Sequence, residues 1–336
     1  MVRLIEEMRI FSLSSRWRLV ARLTAGRVAA AIPTSLLVAT LIFFTVALLP
    51  GDLATETLGR EATPEVIVNL RHQLGLDQPI LKQYFDWLHS LARGDFGRSL
   101  ASGREVVELV LPRLYNTLFL AGLAAVMAVP LSLTLGVLSA LWRHSLFDRL
   151  VGVITFATIS LPDFFVAYLV IFIFSVYYPI FPSISNIGPG ESLIERISNT
   201  VLPALTLTLL VTGPMARMIR VTIVNTFSTP YIEMAHLKGT SPVVVILRHA
   251  MPNVIAPVAT VVMLNLSSLI VGVVIVETVF AYPGLGQLLV DSVTKRDLPV
   301  VQACSLAFAA TYIFINLFAD VVGLISDPRR IRGQQA

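Results

Sequence analysis

Residues 231–253 read YIEMAHLKGTSPVVVILRHAMPN. Thr229 and Pro230 just before them form a helix start, with Thr as N-cap and Pro at the first helical position. The spacing predicts a short helix over 230–238, ended by Gly239, which can take the left-handed conformation that stops a helix. Ser241 and Pro242 repeat the start signal, and Val243, Ile246, Leu247 and Ala250 then fall on one face of a second helix, with Arg248 and His249 turned elsewhere. The stretch thus reads as helix, glycine corner, helix: a rigid knob set between two apolar runs. A simple connector needs no two helix starts.

The chain around it decides the fold class. Of 336 residues, 55% are hydrophobic and 14% charged, against about 25% charged in a soluble domain, and the mean hydropathy is +0.79. This is an all-α polytopic membrane protein. A helix rises about 1.5 Å per residue and needs roughly 20 apolar residues to cross the hydrocarbon. Six runs reach or approach that length: 28–49, 118–140, 151–178, 201–218, 254–276 and 300–325. Pro130, Pro162, Pro203 and Pro257 are expected to kink or start spans. Gly213 and Pro214 are expected to interrupt the fourth run ahead of Arg217 and Arg220. The first run is too long for a signal-peptide core and leads into LLPGD rather than a small-residue cleavage site, so it reads as an uncleaved span.

Charge gives the orientation. Residues 1–27, 141–150, the loop beginning at Arg217 and the tail together hold 15 Lys/Arg against 5 acids, whereas the alternate loops hold 10 against 14. The positive-inside rule places the first set, both termini and the knob in the cytoplasm. The layout is a cytoplasmic N-terminal extension, 1–27, a transmembrane domain, 28–326, with an external segment at 50–117 and a cytoplasmic loop at 219–253, and a tail, 327–336. The formal charge of +4 belongs to this asymmetry and is no sign of nucleic-acid binding.

Within 50–117, ATPEVIVNLRHQLGL and QPILKQYFDWLHSLARG show helical apolar spacing and predict two amphipathic helices over the outer mouth, either a lid over helix ends or a docking surface for an external partner. The Gly- and Pro-rich segment 277–302 is either a surface loop or a hairpin dipping back to the bundle. The apolar runs contain two acids, Asp163 and Asp320. Asp320, one turn from Asn316 and near the cytoplasmic end, suits a structural hydrogen bond, and Asp163, after Pro162 in mid-run, suits a polar lumen. Asn265 is the other possible pore-lining residue. The single cysteine, Cys304, reads as a packing residue and the sequence offers no metal-ligand pattern.

YIEMAHLKG followed by RHAMPNVIAP resembles the EAA loop of the permeases of ABC importers, with Glu233, Ala235 and Gly239 on the pattern and Met234 in place of the second Ala. AAIPTSLLVATLIFF leading to LLPGD (30–52), ARGDFGRSL (92–100), YPGLGQLLVDSVTKRDLPVVQ (282–302) and the tail SDPRRIRG, with Asp327, Pro328 and Arg329, are similar to the dipeptide, oligopeptide and nickel class, in particular its first, B-type permease subunit. The chain departs from that class in an N-terminal extension and in Gly323, where Tyr is usual. The resemblance implies a type I permease fold with six transmembrane helices. It implies that Glu233, Met234, Ala235, His236, Lys238, Gly239 and Thr240 seat in an ATPase cleft, with Arg248, His249 and Asn253 in the second helix of the coupling loop. The implied partners are a homologous second permease, two ABC ATPases, an external substrate-binding protein and membrane lipid, and no nucleic acid. ATP and Mg would bind the ATPases, because this chain has no GxxxxGK[ST] loop and no cofactor or metal site of its own. The implied activity is import of di- or oligopeptides across a bacterial inner membrane by a subunit that is not itself an enzyme. Nickel, glutathione, sugars and peptide antibiotics are alternative cargoes of similar permeases. A proton- or sodium-coupled carrier using Asp163 and Asp320 is disfavoured by the lack of His or Lys in the runs and of an internal repeat. An intramembrane protease is disfavoured because Ser160, Ser267 and Ser268 have no His or Lys partner in any run.

Overall fold

The computed structural model describes residues 2–48, 63–73, 77–185, 187, 188, 190–230, 232, 234, 238 and 251–326, with the side chains of the first helix from Thr24 onward. The described chain is almost wholly helical: α1 (Val2–Ala47), α2 (Pro64–Gln73), α3 (Ile80–Ala92), α4 (Val106–Leu141), α5 (Leu146–Ser160), α6 (Asp163–Ile171) continuing as a π-helical turn (Phe172–Tyr177), α7 (Leu193–Phe227), α8 (Met251–Val279), α9 (Leu285–Thr294) and α10 (Leu298–Ser326). Five segments are long and apolar enough to cross a membrane, namely Thr24–Ala47, Val106–Leu141, Leu193–Phe227, Asn253–Val279 and Leu298–Val321, and a sixth is the bent pair α5 and α6.

Two of these depart from expectation. The third run is no single helix: α5 and the α6 segment meet at 107°. Proline clashes with a helical conformation in the residue before it, and Leu161, ahead of Pro162, is extended at φ −88°, ψ 138°. Of the two expected outcomes, a kink or a start, Pro162 gives a start, and Asp163 is the first residue of the new helix, at the break in the middle of the bent pair. The fourth run, in contrast, is not interrupted at Gly213 and Pro214. α7 runs unbroken through Pro203 and Pro214 and on past Arg217 and Arg220. Its start is fixed by a capping box, Ser192 with Glu195, which ties up two free N–H groups at once.

α7 is the most buried of the spans and packs on α4, α8, α5 and α6, so neighbours on several sides support a helix containing two prolines. Its closest partner is α4, which offers a small residue every fourth position: Ala124, Ala128, Ser132, Gly136 and Ala140, all buried. Small residues let helix backbones approach where no water drives association. The approach is tightest at Gly136, where a Cβ would stand 2.8 Å from the Ala216 carbonyl oxygen. The outer faces keep the belt that lipid demands, with Leu36, Leu41, Val126, Phe172, Phe314 and Phe318 exposed.

The bundle has two ends. At one, α4 turns into α5 and α7 leads into the 228–250 segment; this is the knob end. At the other, α8 passes through α9 into α10; this is the hairpin end. Both amphipathic helices expected over the outer mouth are present as α2 and α3. α3 lays Tyr84 and Trp87 on Phe43 of α1, with ring centroids 5.4 and 5.3 Å apart, and the Tyr84 hydroxyl meets Thr40 Oγ1 at 2.8 Å.

Candidate functional site: the knob and the two ends of the bundle

α7 carries the knob. It ends at Phe227 with Ser228 as C-cap, and the chain re-enters helix at Pro230. Thr229 stands just before it. Its hydroxyl donates back to the Thr226 carbonyl at 2.5 Å, and the Ile232 N–H bonds the Thr229 main-chain oxygen at 3.0 Å. Ile232 is buried whereas Met234 is half-exposed, and the Lys238 N–H reaches the Met234 carbonyl at 3.1 Å, one helical turn on. Lys238 is exposed. The first knob helix therefore has an inward anchor and an outward face holding Met234 and Lys238. Glu233, Ala235, His236, Gly239, Thr240, Arg248, His249 and the tail residues 327–336 lie outside the described residues. Asn253 is half-buried in the first turn of α8.

Asp163 is half-buried at the start of α6. Asn265 of α8 is 8% exposed and donates to Val261 O at 2.8 Å and to Met218 Sδ of α7 at 3.6 Å. Among the described residues no hydrogen bond joins Asp163 to Asn265. Asp320 takes Arg27 of α1 as its partner at 2.5 Å, while the Asn316 amide donates to Tyr312 O and its oxygen accepts from Ser267. An apolar cavity of about 330 Å³ lies between α4 and α10, against Val110, Leu114, Ala303 and Ala307. It has the wrong lining for a polar cargo.

The residues the sequence did not single out are the buried charges at the two ends. At the hairpin end Glu277, the third residue from the end of α8, is fully buried. It accepts from Thr117 Oγ1 of α4 at 2.6 Å and from the N–H groups of Gly286 and Gln287 in the first turn of α9, at 2.6 and 3.2 Å. A carboxylate there meets free N–H groups and the positive end of the helix dipole. Gly284 is required by the fit, since a Cβ on it would fall 2.0 Å from Glu277 Oε1. Thr117 Oγ1 in turn accepts the Leu285 N–H at 2.8 Å. Asn116 completes the dock: its amide donates to Pro283 O at 2.7 Å, its main-chain oxygen accepts from the Tyr282 hydroxyl at 2.8 Å, and its side-chain oxygen accepts from Arg196 of α7 at 2.6 Å. Burial pushes the Tyr282 phenol well above its ordinary range, so it remains a donor. At the far end of α9, Asp297 is buried and accepts from Ser99 Oγ at 2.5 Å and from the N–H groups of Leu100 and Ala101 at 3.1 and 3.4 Å. The two motifs ARGDFGRSL and YPGLGQLLVDSVTKRDLPVVQ are thus bound to each other. The segment 277–302 is a packed hairpin, not a surface loop.

At the knob end the Arg220 guanidinium forks onto Asp148, Nε to Oδ1 at 2.6 Å and Nη2 to Oδ2 at 2.7 Å. These partners are 72 residues apart, a pairing that no local spacing announces.

The described bundle has a braced hairpin at one end, and its sequence is similar to those of chains of known type. Residues 132–332 match the family model described as the inner membrane component of binding-protein-dependent transport systems, and residues 20–121 match the model of the N-terminal region of such components. The chain belongs to this permease family. It is 39% identical over 297 residues to the glutathione transport system permease protein GsiC of Escherichia coli K12, an alignment covering 88% of this chain and 94% of the relative. The Salmonella typhimurium protein of the same name gives the same figures. A provisionally named peptide transport system permease protein of Brucella abortus is 39% identical over 303 residues, 90% of this chain and 96% of the relative. This chain is thus a multi-pass inner-membrane permease of an ABC importer, a transport component that works with a partner permease, ATPase and binding protein.

Proposed function

We propose that this permease moves peptides, from dipeptides to short oligopeptides, as one half of a pore completed by a homologous second permease. An external binding protein delivers the cargo, and two ABC ATPases, which bind ATP and Mg, drive the cycle. The supporting observation is that relatives aligned over about nine-tenths of the chain are named for peptides or for glutathione, itself a tripeptide. Both termini and the knob lie in the cytoplasm on this reading, in keeping with the excess of Lys and Arg in their loops. Seating Glu233, Met234, Ala235, His236, Lys238, Gly239 and Thr240 in the ATPases, with Arg248, His249 and Asn253 bracing them, gives nucleotide-driven closure a handle on α7. Asp163 and Asn265 are the proposed polar points of the path.

Coupling requires contacts that differ between states. α7 is suited to supply them, because it is continuous from the capping box at one end of the bundle to the knob at the other. The test is uptake of labelled di-, tri- and pentapeptides by proteoliposomes holding the full complex. Uptake is expected to survive collapse of ion gradients, to stop without ATP and to fall off for a free amino acid. ATP-driven uptake of a non-peptide solute with no peptide uptake would overturn the cargo. Uptake that follows the ion gradient and ignores ATP would overturn the mechanism.

A further inference from the structure

α5 lies antiparallel along the knob-end half of α7 and meets it at three levels. At Gly213 the helices close to the point where a Cβ would touch the Thr155 carbonyl oxygen at 3.3 Å and Thr158 Cβ at 3.4 Å. One turn on, the Arg217 guanidinium lies 5.1 Å from the centre of the Phe156 ring. A turn further, Arg220 makes its two-pronged contact with Asp148. Asp148 is only 8% exposed and Arg220 is 30% exposed.

The carboxylate is fixed to its own element. Its Oδ2 also accepts the His144 N–H at 3.0 Å, and the Asp148 main-chain N–H donates to the N-cap Ser145 Oγ at 3.1 Å. The guanidinium belongs to the α7 stem, two turns before Phe227. A fork of two parallel bonds sets orientation as well as distance. Separating it leaves a carboxylate only 8% exposed without its guanidinium, so the fork opposes sliding of α5 along α7. At its other end α5 is held differently. Leu161 and Pro162 are extended, the helical ladder stops, and α6 leaves at 107°. A few non-helical residues between two rigid helices are where an angle can change.

We infer that the Asp148–Arg220 fork clamps α5 to the stem of the knob, so that displacement of the knob carries α5 with α7 and opens or closes the angle at Leu161–Pro162 in the broken third span. Asp148 and Arg220 are positioning residues in this scheme, touching neither cargo nor nucleotide. The inference rests on the proposed drive from the ATPases for the motion it transmits.

The test uses the complete transporter with Asp148→Asn, Arg220→Gln and the double variant. Each single variant is expected to assemble and hydrolyse ATP, while stimulation by the loaded binding protein and peptide uptake both fall roughly tenfold or more. The double variant is expected to be no worse than either single, because all three break one link. Spin labels on wild type give a second readout. The distance between Val153→Cys on α5 and Val221→Cys on α7 should stay constant through the ATP cycle, and that between Val153→Cys and Tyr168→Cys on α6 should change. These label positions are exposed. Normal stimulated hydrolysis and uptake in the single variants would overturn the inference, as would a constant 153–168 distance in a complex that is transporting. If the single variants fail to assemble, the wild-type distances decide. Absence of ATP-driven transport in wild type would instead count against the proposed function.

Discussion

The two ends of the bundle both bury carboxylates, and they use them in opposite ways. At the hairpin end Glu277 and Asp297 accept mainly from main-chain N–H groups and short hydroxyls: Gly286, Gln287 and Thr117 for one, Leu100, Ala101 and Ser99 for the other. Donors of that kind cannot swing away, so they freeze the shape of the chain around them. At the knob end Asp148 meets a guanidinium on the long side chain of a different helix. A pair between side chains ties two rigid bodies and travels with them. The difference teaches that one end is held by donors that keep its form, while the other has a link between rigid helices that can pass on a displacement if the proposed ATPases drive one.

Substitutions that separate stability from coupling can break this contrast. The largest stability effect is expected at Gly284→Val, since its Cβ would overlap the Glu277 carboxylate and overpacking alone costs about 1–3 kcal/mol. The yield of folded protein in detergent should collapse, as size-exclusion profiles would record. The counterpart at the knob end is Gly239→Val, which spoils the corner predicted from sequence. Membrane insertion and melting temperature should be unchanged, while uptake and binding-protein-stimulated hydrolysis are lost. A fall in melting temperature for Gly239→Val equal to that of Gly284→Val would erase the distinction between the ends.

Glu277→Gln sharpens the contrast with a smaller perturbation. The amide keeps the shape but puts an NH2 in place of one of the two accepting oxygens, so either the Thr117 hydroxyl or the Gly286 and Gln287 N–H groups lose their acceptor, and an unsatisfied buried donor costs about 1–3 kcal/mol. Thermal melts of the purified complex should shift downward, with the ratio of transport to hydrolysis preserved in the surviving fraction. A changed ratio with an unchanged melt would move Glu277 to the coupling side. The smallest effect belongs to Arg104→Ala. Arg104 and Glu108 meet at 3.6 Å with both side chains well exposed, and exposed pairs contribute little. Neither melt nor transport should move measurably.

Much of the architecture was legible because apolar length and amphipathic spacing are one-dimensional signals. The runs around α1, α4, α8 and α10 and the helices α2 and α3 all come from them. The third and fourth runs are spans as read, and what differs in them is the effect of proline, for one reason. Proline's effect depends on what surrounds it: Pro162 acts on a Leu161 that is free to extend, whereas Pro203 and Pro214 lie in a helix supported by several neighbours. Glu277, Asp297 and Asp148 were visible only as loop charges counted for orientation. Besides its neighbours Gly286 and Gln287, Glu277 reaches Thr117 160 residues away, and Asp297 and Asp148 meet Ser99 and Arg220 198 and 72 residues away; such distances leave no local spacing to read. The knob is read from the sequence as a motif, through its Thr-Pro and Ser-Pro starts and its glycine corner, of which Gly239, Ser241 and Pro242 lie outside the described residues. Among its residues Met234 and Lys238 show which side faces outward.

The most direct measurement is photo-cross-linking from Met234 and Lys238, each replaced by a photoreactive amino acid, in the assembled transporter with and without ATP. Both positions are expected to join the ATPase subunits, with a yield that changes between nucleotide states. Cross-links to lipid or to nothing, in every nucleotide state of a complex that still transports, would contradict it.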